Sequence, residues 1–242
     1  MKTLFYFLAV FLTSLMVGVS LEISPIGAVI ISFTLSVGMS VLEKEMDMHT
    51  AALACGLISD DIKHDCDNPL QAGVRARLIL LNLDDIDTVD LNATNKLLLE
   101  DLTLKATKAA YEITGRENTI TALAELIPAQ ELFNHTVTAM GFNISAATKL
   151  NIQGMLSGRF VAIIENVDRG LNGETAFEVF GLDAGLKLNV LTRNNNDVES
   201  QGAFAFTFVN SDTSKEKFLP RTFYDGTSYA TTKALVDALL VP

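Results

Sequence analysis

Ala203-Phe204-Ala205-Phe206-Thr207-Phe208 alternates strictly between a bulky aromatic ring and a small side chain. A β-strand points successive side chains to opposite faces, so this segment lays three phenylalanines on one side of a sheet and small residues on the other. Helical winding would scatter the same rings around a cylinder. The segment therefore supplies half of a sheet's core, and the rest of the chain must supply the other half.

Further strand signals surround it. Val74-Arg75-Ala76-Arg77-Leu78-Ile79-Leu80-Leu81 opens with alternation and ends as an apolar run, as a strand does on entering a buried sheet. Leu97 to Leu104 and Ala110 to Thr114 are weaker strand candidates, whereas Arg159 to Val167, Thr175 to Gly181 and Leu186 to Leu191 are clearly strand-like. Phe133, His135 and Val137 lie two apart on one face of a strand ending near Phe142, and His135 reads as a cross-strand packing residue rather than a ligand. Asn172-Gly173 is a hairpin signal and Asn194-Asn195-Asn196-Asp197 a loop.

Two segments switch to a helical period. Ser145 can cap a helix running to about Leu156, with Ala147, Leu150 and Met155 as a partial apolar stripe and Gly158 as its stop. Ser228 to Val241 forms the second, expected to pack Ala230, Ala234, Leu235 and Leu239 on the sheet. The expected fold is mainly β with α: an antiparallel β-sandwich or partly rolled barrel with one internal and one C-terminal helix.

Ahead of this domain the first 42 residues hold only Lys2 and Glu22 as charged side chains. Thr3 to Leu21 and Ile23 to Leu42 are uncharged runs, each long enough to cross a hydrocarbon core of ~30 Å as a helix. The simplest reading is a hydrophobic helical hairpin with Glu22 to Pro25 at its tip, contacting a membrane through residues 3–42. A secretory signal over residues 1 to 20, with Gly18 and Ser20 at a cleavage site, is the competing reading. At Glu43-Lys44-Glu45 the chain changes from apolar to ordinary, which divides it into a membrane-type segment, 1–45, and an assembly domain, 46–242. Met46 and Met48 leave open a functional polypeptide that starts at the second part.

A net charge of −11 argues against a nucleic-acid-binding surface, because phosphate contacts need clustered Lys and Arg. Cys55 and Cys66 are the only cysteines of the chain, too few for a disulfide-rich scaffold or a four-cysteine zinc site. His64-Asp65-Cys66-Asp67 has metal-ligand residue types without a recurring zinc spacing; two unpaired thiols or a Cys55–Cys66 disulfide are both open. Asp84, Asp85, Asp87 and Asp90 lack the glycine and terminal glutamate of a calcium loop and read as a solvated acidic turn. No nucleophile elbow, phosphate loop or dinucleotide fingerprint occurs. No catalytic, cofactor-binding or metal-binding residue is singled out, and the chain reads as something other than an enzyme.

Arg159-Phe160-Val161-Ala162-Ile163-Ile164-Glu165, Phe177-Glu178-Val179-Phe180-Gly181-Leu182-Asp183-Ala184-Gly185-Leu186, Gly202-Ala203-Phe204 and Phe218-Leu219-Pro220 together resemble structural proteins of tailed bacteriophages. Within that group they are most similar to small tube-forming tail proteins and prophage virion proteins of Bacteroidota-type hosts, over roughly residues 53–242. The resemblance implies a β-sandwich with a flanking helix, copies of which join into rings and stack into a tube alongside other virion proteins. DNA would pass through that tube without specific binding, which an anionic lumen favours. The hydrophobic N-terminal segment departs from the family's pattern, so the expected location is a virion, or a bacterial membrane reached through residues 3–42.

Overall fold

The structure, a computed structural model, describes residues 61–63, 66 and 69–241. The expected hairpin over residues 3–42, the boundary at 45 and 46, and Cys55 lie outside these residues. Among the described residues no helix is long and apolar enough to cross a membrane.

The described chain forms β1 (Val74–Asn82), β2 (Ile86–Leu91), β3 (Leu98–Leu104), β4 (Tyr111–Thr114), β5 (Thr121–Ile127) and β6 (Leu132–Gly141) before the helix α1 (Ala146–Gly154). It continues through β7 (Phe160–Asn166), β8 (Phe177–Phe180), β9 (Leu186–Thr192), β10 (Phe204–Asn210), β11 (Arg221–Phe223) and the helix α2 (Tyr229–Ala238). The fold is mainly β, as its alternating segments require. Eleven strands make one sheet, with the path β2-β3-β11-β8-β7-β9-β10-β6-β5 and with β1 joined to both β4 and β7. All pairings are antiparallel except β11 with β3, which is parallel, so the sheet is mostly antiparallel, as expected.

The sheet rolls because β7 changes neighbours along one edge. Ala162 to Glu165 pair with β8, but Phe160 pairs with Leu186 of β9, and β9 then departs to pair with β10. The chain makes this crossing through the bend Gly181–Gly185. Gly181 has a φ of +77°, and a Cβ there would lie 2.5 Å from Leu186 Cγ, so only glycine fits the bend.

Rolling the sheet buries β1 and β7 on both faces. Leu78, Leu80, Ala162 and Ile164 join one core with Val137, Ala139, Phe204, Phe206 and Phe208. Ile79, Leu81, Val161 and Ile163 join the other with Leu99, Phe177, Val179, Phe223 and Val236. This explains why both strands read as continuous apolar runs, a pattern that strands with one solvated face do not show. In β10 the alternation holds: Phe204, Phe206 and Phe208 are buried while Ala205, Thr207 and Val209 are half-buried on the other face.

Both helices start where their serines place them, and the faces they turn inward match the expected stripes only in part. Ser145 Oγ accepts from the Thr148 amide, and Ser228 forms a reciprocal capping box with Thr231. In α1 the buried residue is Ile152, and the expected Met155 just past its end packs partly buried on the core, while Ala147 and Leu150 face out, Leu150 73% exposed, which corrects that part of the stripe. In α2 the inward residues are Thr232 and Val236 together with the expected Leu235 and Leu239, whereas Ala230 and Ala234 face out. Asn172-Gly173 lies in the connection from β7 to β8, which runs from Val167 to Ala176 and is longer than a tight hairpin. Gly173 has a φ of +91°, and a Cβ there would meet Tyr229 Cβ at 2.4 Å, so the loop rests directly on the first turn of α2. The acidic segment is also corrected: Leu83–Asp85 is a single 3-10 turn, but Asp87 and Asp90 belong to β2.

Candidate functional site

Among the described residues no group of three or more His, Cys, Asp or Glu could hold a metal ion. Cys66 is exposed, and His64, Asp65 and Asp67 lie outside the described residues. Buried polar chemistry is instead concentrated in two places, both tied to the path of the chain.

The first surrounds the crossing bend. Glu216 is 1% exposed, and its carboxylate accepts from the backbone N–H of Ala184 at 2.9 Å, that of Asp183 at 3.0 Å and Asn210 Nδ2 at 3.2 Å. Asn210 also donates to the Gly185 carbonyl at 3.0 Å and accepts the His135 amide at 2.7 Å. His135 Nδ1 accepts the Gly181 amide at 3.2 Å, and its ring packs edge-on against Phe180. Arg221 closes the cluster, with Nη2 donating to both Asp183 oxygens at 2.9 and 3.0 Å. Burial pushes the Glu216 carboxyl above its ordinary range, against the pull of the two amides. Burial likewise drives the His135 imidazole down to about 4, with the Phe218 backbone opposing it. His135 Nε2 is buried without a hydrogen-bond partner among the described residues.

The second cluster surrounds Glu165. Its Oε1 accepts from Tyr229 Oη at 2.7 Å and Arg169 Nη2 at 3.1 Å, with Arg75 Nε at 3.3 Å. Arg169 lies over the Tyr229 ring at 3.8 Å, and that ring stacks on Phe177. One carboxylate thus fastens β7, β1, the β7–β8 loop and α2. His135 is a packing residue, as its place on the Phe133–Val137 face implies. Sequence reasoning missed the other members. Asn210 was within reach, because it extends the buried phase of Phe204, Phe206 and Phe208 by one step. Glu216 was not, because Lys215-Glu216-Lys217 reads as a solvated charge run.

The surface offers two further features. A groove of about 700 Å³ lies between β4, the end of β6 and α1, floored by Ile113, Met155, Phe160 and Phe206 and flanked by Asn143 and Asn151. The other feature is the set of sheet edges. Among the described strands β2 and β5 end the path, and β4 pairs with β1 alone. β2 carries Asp87 and Asp90, with Asp90 directly opposite Asp101 of β3, and its register breaks between Ile86 and Thr88 and between Asp90 and Leu91. β4 has four residues, and its Glu112 is paired with Arg77 at 3.4 Å. β5 has seven residues in unbroken register with β6, and Glu125 is its one charge. The chain matches no protein-family model, no curated protein and no solved structure.

Proposed function

We propose that this chain is a structural protein of a tailed-phage virion that self-assembles, in the form of tail-tube-like rings that make a conduit for DNA. The observation that carries the reading is the open sheet. A mainly β domain whose path, among the described residues, ends in strands without a further partner reaches full hydrogen bonding most simply by joining other copies of itself. The virion assignment rests on the resemblance of Arg159–Glu165 and Phe177–Leu186, segments that form β7, β8, the crossing bend and the start of β9. The net charge of −11 suits a lumen that DNA must traverse without sticking.

The test is assembly of a polypeptide beginning at Met46. Light scattering and negative-stain microscopy should find rings or tubes without detergent, and a strictly monomeric peak at high concentration refutes the tube role. A second reading, a membrane-anchored binding or scaffolding domain of a bacterial surface or virion membrane, is favoured by the uncharged runs Thr3–Leu21 and Ile23–Leu42. Recovery of the full chain in the membrane fraction, without rings from the shorter polypeptide, would select it.

A further inference from the structure

Among the described residues three sheet edges lack a further partner, and they differ in how they resist pairing. Natural sheets blunt an exposed edge with charge, with bulges or by keeping it short, because an unguarded edge is a template for another strand. β2 has the first two devices, in Asp87, Asp90 and its two register breaks, and β4 has the third. β5 has only the single charge of Glu125: it is long and regular, and it holds no proline, lysine or arginine.

The exposure of β5 also points to addition at its edge. Leu126 lies on the face that carries Ala122 and Ala124, paired with Phe133, and is 58% exposed. Leu123 lies on the opposite face, paired with Thr136, and is 50% exposed. A body docking on one face of the sheet would cover only one of these leucines. A strand added alongside β5 extends both faces and covers both.

We infer that the occupant is β5 of a second copy, paired antiparallel about a two-fold axis through Ala124. The strand runs from Thr121 to Ile127, so Ala124 is its midpoint and this register uses every residue. On the inner face Leu126 then sits opposite Ala122 of the second copy, a large side chain against a small one, with Ala124 against Ala124. On the outer face Glu125 meets Leu123 rather than another Glu125, so no like charges are opposed. The result is a continuous sheet β9-β10-β6-β5 followed by the same four strands of the second copy in reverse. An isologous contact of this kind closes at two copies. It therefore goes beyond the ring reading and stands apart from it.

Cysteine cross-linking of the full chain in neutral detergent tests the register, with Cys55 and Cys66 replaced by serine and folding verified by circular dichroism. Directly opposed residues of antiparallel strands lie about 4.5–5.5 Å apart at Cα, within the range a disulfide bridges. Ala124→Cys should cross-link to a dimer on its own. Leu123→Cys alone should not, but mixed with Glu125→Cys it should give the heterodimer. A folded Ala124→Cys chain that stays monomeric overturns the pairing, whether β5 is free or is covered by residues that precede the described chain. A second variant, Leu126→Lys on the native cysteine background, should shift the sedimenting species from dimer to monomer, and an unchanged dimer overturns the proposal independently. Rings that persist when Ala124→Cys fails to cross-link leave the assembly reading standing and defeat this one. Dimers linked through Ala124 without any larger assembly do the reverse.

Discussion

Lowering the pH should remove a defined share of this domain's stability through one side chain, His135. Its Nδ1 accepts the Gly181 amide, so adding a proton there would set N–H against N–H inside a core where the residue is 2% exposed. Burial accordingly holds its pKa down to about 4 from an ordinary 6.5. Because the unfolded chain takes up the proton first, stability falls as pH drops below 6.5 and levels off once the folded state also protonates near 4. A gap of about 2.5 pH units at roughly 1.4 kcal/mol each gives a loss of about 3 kcal/mol over the full window. Glu216 acts with the opposite sign, since its raised folded pKa returns stability as pH falls through it, and the comparison must therefore be differential. His135→Asn keeps an acceptor for the Gly181 amide and cannot titrate. Urea midpoints measured from about pH 7.5 to about pH 4.5 for both chains should converge by about 2–3 kcal/mol toward the acid end. Parallel pH profiles would refute the linkage, and an NMR titration placing the His135 ring near 6.5 would refute its cause.

The remaining predictions are structural. Phe206→Ala should cost about 3–5 kcal/mol in chemical denaturation, whereas Thr207→Ala on the opposite face of β10 should stay within about 1 kcal/mol; equal effects would mean the strand's phase is wrong. Glu216→Ala leaves the Asp183 and Ala184 amides without an acceptor and should cost about 3 kcal/mol or more, with faster hydrogen exchange confined first to the crossing bend. Gly173→Ala must strain a backbone at φ +91° and displace Tyr229, so a melting temperature unchanged from the parent would contradict the packing of that loop on α2.

What the residues disclosed in advance follows the range of the forces involved. Ser145 and Ser228 mark helix starts because capping is local chemistry, completed within three residues. β1, β7 and β10 were legible because their phase is set by burial on one or both faces. The helix faces were legible only in part: the expected Met155, Leu235 and Leu239 pack on the cores, but contact with the sheet also draws in Ile152, Thr232 and Val236 and leaves Leu150, Ala230 and Ala234 outside. β2 is hidden by its own edge protection, since Asp87 and Asp90 make a strand look like a turn. β5 is hidden by Leu, Ala and Glu, residues without strand preference, and β11 by its length of three residues and a parallel partner far away in the chain. The polar cluster at the bend was illegible for the same reason, because Glu216, Asn210 and His135 meet only after the sheet has rolled.

That cluster sits where the fold is most exposed to error. β7 hands its edge from β8 to β9 across five residues, and a slip of one residue in β9 would turn every side chain of that strand to the opposite face. Apolar packing alone resists such a slip weakly along β9, whose residues beyond Leu186 are half-buried or exposed. Hydrogen bonds from the successive Asp183 and Ala184 amides to Glu216, from the Gly181 amide to His135 and from Asn210 to the Gly185 carbonyl each require one residue at one place. A shifted bend would leave a buried carboxylate, an amide and an imidazole unpaired together, a penalty far larger than the loss of one apolar contact. Burial works against Glu216 as an isolated group, and it is this same burial that makes the cluster selective for a single register. The register of β9 then sets that of β10, β10 that of β6, and β6 that of the β5 edge.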